Sequence, residues 1–84
     1  ATRSKSLVAS DVNWVGGVEP DFPIRCQAQI RYRHIAADAT ASLDSSRILH
    51  VEFDEPQGAI APGQAVVLYD GDRVLGGGWI DDQG

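Results

Sequence analysis

Several groups of residues in this sequence are of types that do chemistry. Cys26, His34 and His50 could ligate a metal, or supply a thiol nucleophile with an imidazole beside it. Zinc takes about four ligands, commonly with close paired spacing, and the sequence has no Cys-x-x-Cys. Cys26 falls at an apolar position of an alternating run, where a small thiol is ordinary core material. Asp54-Glu55 offers adjacent carboxylates for acid–base work. Consecutive strand residues point to opposite faces, so these two would not converge on one substrate atom. Gly76-Gly77-Gly78 could cradle a phosphate, but a phosphate loop needs a helix N-terminus after its glycines. Here the chain runs on into Trp79-Ile80-Asp81. A bulge, or the close approach of a neighbouring backbone, fits the glycines better.

Arg31-Tyr32-Arg33-His34 is the group that points to a ligand. Guanidinium groups make bidentate contacts to phosphate, and Tyr or His rings stack on unpaired bases. The net charge of −5 argues against a nucleic-acid partner when taken alone. Its distribution matters more. Residues 22–37 hold no Asp or Glu but do hold Arg25, Arg31, Arg33 and His34. The acids gather at Asp54-Glu55, at Asp70 and Asp72, and at Asp81-Asp82. One segment can therefore face an RNA while the remaining surface stays acidic. The same arginines would also suit a sheet face that is merely solvated. Pairing of Arg25, Arg31 and Arg33 with carboxylates from other strands would favour that second reading.

These residues are positioned by strands. Ile24, Cys26, Ala28, Ile30 and Tyr32 alternate strictly with Arg25, Gln27, Gln29, Arg31 and Arg33, which gives one apolar and one long polar face. Upstream, Val8, Val12 and Trp14 are expected to share a face of a first strand, broken by Gly16-Gly17, Pro20 and Pro23. Downstream, Ala39, Ala41 and Leu43 alternate with polar residues before a turn at Asp44-Ser45-Ser46. Leu49, Val51 and Phe53 form the next strand, punctuated by Pro56 and Gly58. Pro62-Gly63 suits a turn with glycine at positive φ. Residues 65–69 are another strand, and Asp70-Gly71-Asp72 is a tight hairpin into Val74-Leu75. No helix of useful length, repeat or low-complexity tract is evident. Short strands with turns every 8–12 residues predict an all-β fold, a small closed six-stranded antiparallel barrel, because open edges invite aggregation.

At 84 residues, with 43% apolar and 23% charged, the chain is one small domain. Residues 1–6, small, polar and basic, read as a flexible lead-in or linker, and residues 7–84 as the barrel. The first residue is Ala1 rather than Met, which reads as a piece of a longer protein. A single cysteine excludes an internal disulfide and favours an intracellular, cytoplasmic setting. No apolar run approaches the ~20 residues a membrane helix needs, so no membrane partner is expected.

Several strings, taken in order, resemble one family: Val12-Asn13-Trp14, Arg25-Cys26, Arg31-Tyr32-Arg33, Phe53-Asp54-Glu55-Pro56, Ala61-Pro62-Gly63-Gln64-Ala65 and Leu75-Gly76-Gly77-Gly78-x-Ile80. Across residues 7–80 they look like the C-terminal domain of the bacterial tRNA-specific 2-thiouridylases. The resemblance implies a barrel similar to the second domain of elongation factor Tu. It implies a parent enzyme in which this barrel follows an N-terminal ATP-binding domain and a central domain. Such enzymes activate C2 of the wobble uridine by adenylation, using ATP with magnesium, and then deliver sulfur from a cysteine persulfide, with a sulfur-donor protein as partner. The resemblance implies tRNA contacts by Arg31, Tyr32 and Gln64 in this chain, with Arg33 and His34 as weaker candidates. The ATP signature and the sulfur-handling cysteines would lie upstream, so no cofactor and no catalysis are expected of this fragment. Gln27 and Gln29 stand where a strong RNA binder would carry lysine, so weak binding by the isolated domain is expected. The alternative is a structural or protein-interaction barrel without RNA contact.

Overall fold

The computed structural model describes residues 3–30, 35–58 and 60–81. Six strands run in chain order: β1 (Arg3–Trp14), β2 (Ile24–Ile30), β3 (Ala37–Leu43), β4 (Leu49–Gly58), β5 (Ala65–Asp70) and β6 (Arg73–Ile80). A 3-10 turn, Val15–Gly17, follows β1. The strands close in the order β1-β4-β3-β2-β5-β6, and every pairing is antiparallel. Each strand thus has two partners within the chain, and among the described residues no strand edge is left unpaired along the sheet.

The interior of so narrow a barrel has room only for side chains that interdigitate, large against small. Phe53, Leu7, Leu49, Leu68 and Val51 fill it, with Ala9, Ala28, Ala39 and Ala41 between them, all fully buried. On β2 the alternation sorts as its residues dictate: Cys26, Ala28 and Ile30 are buried, while Arg25, Gln27 and Gln29 face outward. Trp14 and Phe22 close one end, with ring centroids 5.4 Å apart and planes tilted by 50°.

The first strand departs from its sequence reading. Leu7 and Ala9 are buried and Val8 lies on the outer side, while Val12 and Trp14 pack on the core. The reason is a bulge. Ser10 pairs with Trp79 and Asn13 with Gly77, which gives β1 one more residue than β6 across that interval. Asp11, at φ 51°, takes up the extra residue and reverses which parity faces inward. The strand also begins at Arg3, inside the stretch read as a lead-in. Its backbone pairs there with the end of β4, Arg3 opposite Gly58 and Ser4 opposite Gln57.

A second irregularity explains how β4 runs through Pro56 instead of stopping there. Ser6 faces Glu52 and Ser4 faces Gln57, so residues 53–56 oppose Lys5 alone. A proline lacks the N–H that a regular ladder needs, and a bulge asks for none.

Candidate nucleic-acid interface

The outward side chains of β2 are tied to their neighbours. The Arg25 guanidinium donates from Nη1 to Asp54 Oδ1 at 2.7 Å and from Nη2 to Asp54 Oδ2 at 2.6 Å, a bidentate fork. Nη1 also donates to Thr40 Oγ1 at 3.1 Å. The pair matches in charge and shape, so Arg25 holds the Asp54 carboxyl below the usual carboxylate range, and Asp54 raises Arg25 further. Gln27 donates from Nε2 to Asp38 Oδ1 at 3.3 Å and accepts the Gly71 backbone N–H at 2.9 Å. This face is a hydrogen-bonded network spanning β2, β3, β4 and the β5–β6 hairpin. The sequence pattern puts Arg25 on a cationic face available to RNA. The structure corrects that reading, because its charge is neutralised at contact distance by a residue 29 positions away.

The same holds for the other arginines whose side chains are described. Arg47 meets Glu19 at 2.6 Å and Arg73 meets Asp70 at 3.3 Å. Arg31, Tyr32, Arg33 and His34 lie outside the described residues.

Gln64 lies near the end of β2. Ile30, the last residue of that strand, is in register with Val66, two positions beyond Gln64. The end of β2 and the Pro62-Gly63 turn therefore lie at the same end of the barrel. Gly63 has φ 85°, the left-handed conformation that the sequence leads one to expect there. The turn is pinned on both sides: Gly63 N–H donates to the Ile80 carbonyl at 2.8 Å, and Ile80 N–H donates to the Gln64 carbonyl at 2.8 Å. The Gln64 side chain, read as offering a donor and an acceptor, has its Oε1 taken by the Ala61 N–H at 3.3 Å. What it presents is an amide donor, with no hydrogen-bond acceptor among the described residues.

The remaining candidates resolve as structure. Cys26 is buried, and desolvation pushes its thiol up to about 11, which makes it a poor nucleophile near neutral pH. His50 Nε2 lies 2.9 Å from Asp44 Oδ2, and that carboxylate also accepts the Ser46 and Ile48 backbone N–H groups at 2.8 and 3.0 Å. It is the brace of the β3–β4 turn. Among the described residues, no group of three or more His, Cys, Asp and Glu side chains is arranged to hold a metal. Gly76-Gly77-Gly78 lies within β6, where backbones approach closely: a Cβ on Gly77 would run into the Val66 carbonyl oxygen, and one on Gly78 would lie 2.8 Å from the Ser10 carbonyl oxygen.

A closed antiparallel barrel whose interior is packed with apolar side chains, with its polar groups on outer faces and turns, defines a small all-β barrel domain. Residues 4–80 match the family model described as the aminomethyltransferase beta-barrel domain, and the chain belongs to that family. It is 54% identical over 79 residues to a tRNA-specific 2-thiouridylase of Solibacter usitatus, covering 89% of this chain and 21% of that protein. It is 53% identical over 80 residues to the corresponding protein of Symbiobacterium thermophilum, covering 95% of this chain and 20% of that protein. The Synechocystis protein of the same name is 53% identical over 72 residues, covering 86% of this chain and 20% of that protein. The chain spans about a fifth of the length of the curated relatives it matches. The resemblance to the C-terminal 2-thiouridylase domain is thereby borne out. Among the described residues, no helix is long and apolar enough to cross a membrane.

Proposed function

We propose that this barrel is the tRNA-contacting accessory domain of a cytoplasmic tRNA 2-thiouridylase, holding tRNA for ATP-dependent sulfur transfer to C2 of the wobble uridine. Its partners are tRNA and the ATP-binding and central domains of the same parent chain, which also engages a sulfur-donor protein. ATP with its magnesium is handled by the parent's other domains, and this fragment binds without catalysing. Arg31, Tyr32 and Gln64 make the principal tRNA contacts, with Arg33 and His34 assisting.

The observation that carries this reading is the identity of about half of all residues to one-fifth segments of proteins named tRNA-specific 2-thiouridylases. The register supports it. Ile30 opposite Val66 brings the chain out of β2 beside the rigid turn that carries Gln64. Arg25, already paired with Asp54, is not counted among the contacts, and its pairing on its own favours a merely solvated face.

A second reading, a barrel that docks on protein alone, is favoured by one feature. Val15, Val18 and Val74 are exposed around a cleft that Pro20 and Leu75 also line, with Val18 72% accessible. The two readings part on Arg31→Ala. The RNA-contact reading expects this substitution to weaken tRNA binding about tenfold, the loss of one charge-assisted contact, with the unfolding midpoint unchanged. Unchanged tRNA affinity would favour the protein-docking barrel.

A further inference from the structure

We infer that Trp79 is an additional RNA-contact residue, an open indole platform for an unpaired base, beside the Gln64 turn. The inference rests on the tRNA-contact reading above and extends it to a residue to which neither the sequence pattern nor the family resemblance gave a role.

Trp79 is on the outward side of β6. It is 47% exposed, while the next residue, Ile80, is 2% exposed in the core. An outward tryptophan adds nothing to the packing of the barrel interior. Its cross-strand partners are Ser10 on β1 and Ala65 on β5, both small, and Gly77 precedes it on the same face of the strand. These neighbours are too small to cover the whole ring, and 47% of the residue remains accessible.

The mount is rigid. The Ile80 N–H and C=O are bonded to Gln64 and Gly63, both at 2.8 Å, and the Asp81 N–H donates to the Val8 carbonyl at 2.9 Å. Trp79 is therefore fixed relative to the turn that presents the Gln64 amide, at the barrel end where β2 runs out. The surroundings select the part of the nucleic acid that fits. Ser10 Oγ donates to Asp81 Oδ1 at 2.9 Å, which keeps a carboxylate near the indole. A carboxylate repels phosphate, whereas a base stacked on an aromatic ring needs no cationic neighbour. Phosphate contact falls to the arginines and base contact to Trp79.

The test uses this 84-residue chain, whose barrel closes on its own core, titrated with a tRNA transcript at low salt. Trp79 emission is isolated as the difference between wild type and Trp79→Phe. The expected result is quenching of that emission by tRNA. Trp79→Ala should weaken binding about 5- to 150-fold, the range for loss of one base–aromatic stack. The slope of log affinity against log salt should stay unchanged, because no phosphate contact is lost. Trp79→Phe should retain part of the affinity, and both variants should still unfold cooperatively, with Trp79→Ala the less stable of the two because it loses the covered part of the indole. If Arg31→Ala weakens binding while Trp79→Ala binds like wild type, the inference fails and the proposed function stands. If tRNA does not bind, or binds without regard to Arg31, the proposed function itself fails.

Discussion

On the outer face of β2, Arg25 and Gln27 are tied off by Asp54, Thr40, Asp38 and the Gly71 amide. At the Gln64 turn, an amide nitrogen has no acceptor among the described residues and an indole stands exposed. Both regions are polar surface on the same barrel, yet only the second has groups left to offer a ligand. A guanidinium already forked onto a carboxylate at 2.6 Å would have to lose that partner before it met a phosphate. Counting arginines along a strand therefore overstates how much cationic surface the strand provides.

The largest effect is expected from disturbing the seam that holds the Gln64 end in place. Gly77→Ala drives a Cβ into the Val66 carbonyl and to 3.2 Å from Val67 Cα, backbone atoms that cannot swing aside. A loss of about 2–3 kcal/mol in urea-unfolding free energy is expected, as for other overpacked sites, with β5 and β6 forced apart.

Next, Asp54→Ala should erase the contrast between the two regions. It frees the Arg25 guanidinium and removes a negative charge, so tRNA affinity at low salt should rise several-fold and the salt slope should steepen by about 1. Affinity titrations at several salt concentrations check this. No change would mean that the β2–β4 face never comes near the nucleic acid.

The smallest effect concerns pH. Asp44 is held below the usual carboxylate range, chiefly by His50 and then by the Ile48 and Ser46 amides. A carboxyl whose folded value is depressed adds stability that is present above its ordinary value and is lost as pH falls through the lowered one. Asp44→Asn should therefore be less stable than wild type at neutral pH. The difference should shrink on acidification below the ordinary carboxylate range, as measured by unfolding midpoints from neutral to acid pH.

Much of this architecture is legible in the residues themselves. Strict alternation in β2 states which side is core, and Pro62-Gly63 states where a turn with positive φ falls. The triple glycine announces close backbone approach without saying which backbones approach. The bulge at Asp11 is not legible, because nothing in Ser10-Asp11-Val12 marks the extra residue that exchanges Val8 for Leu7 and Ala9 in the core. The Arg25–Asp54 pair is hidden for a different reason. It joins residues 29 positions apart through the intervening strand β3, and only the closed register brings them together. Trp79 is visible as an aromatic residue, but its exposure depends on the small residues that the register sets beside it.

The central claim is that the phosphate-directed charge of this barrel comes from Arg31 and not from Arg25, its neighbour on the same polar strand pattern. The direct measurement is tRNA affinity as a function of salt for Arg25→Ala and Arg31→Ala side by side. The prediction is that Arg31→Ala lowers the magnitude of the salt slope by about 1 while Arg25→Ala leaves it unchanged. Equal slopes for the two variants, or a loss confined to Arg25→Ala, would contradict the account.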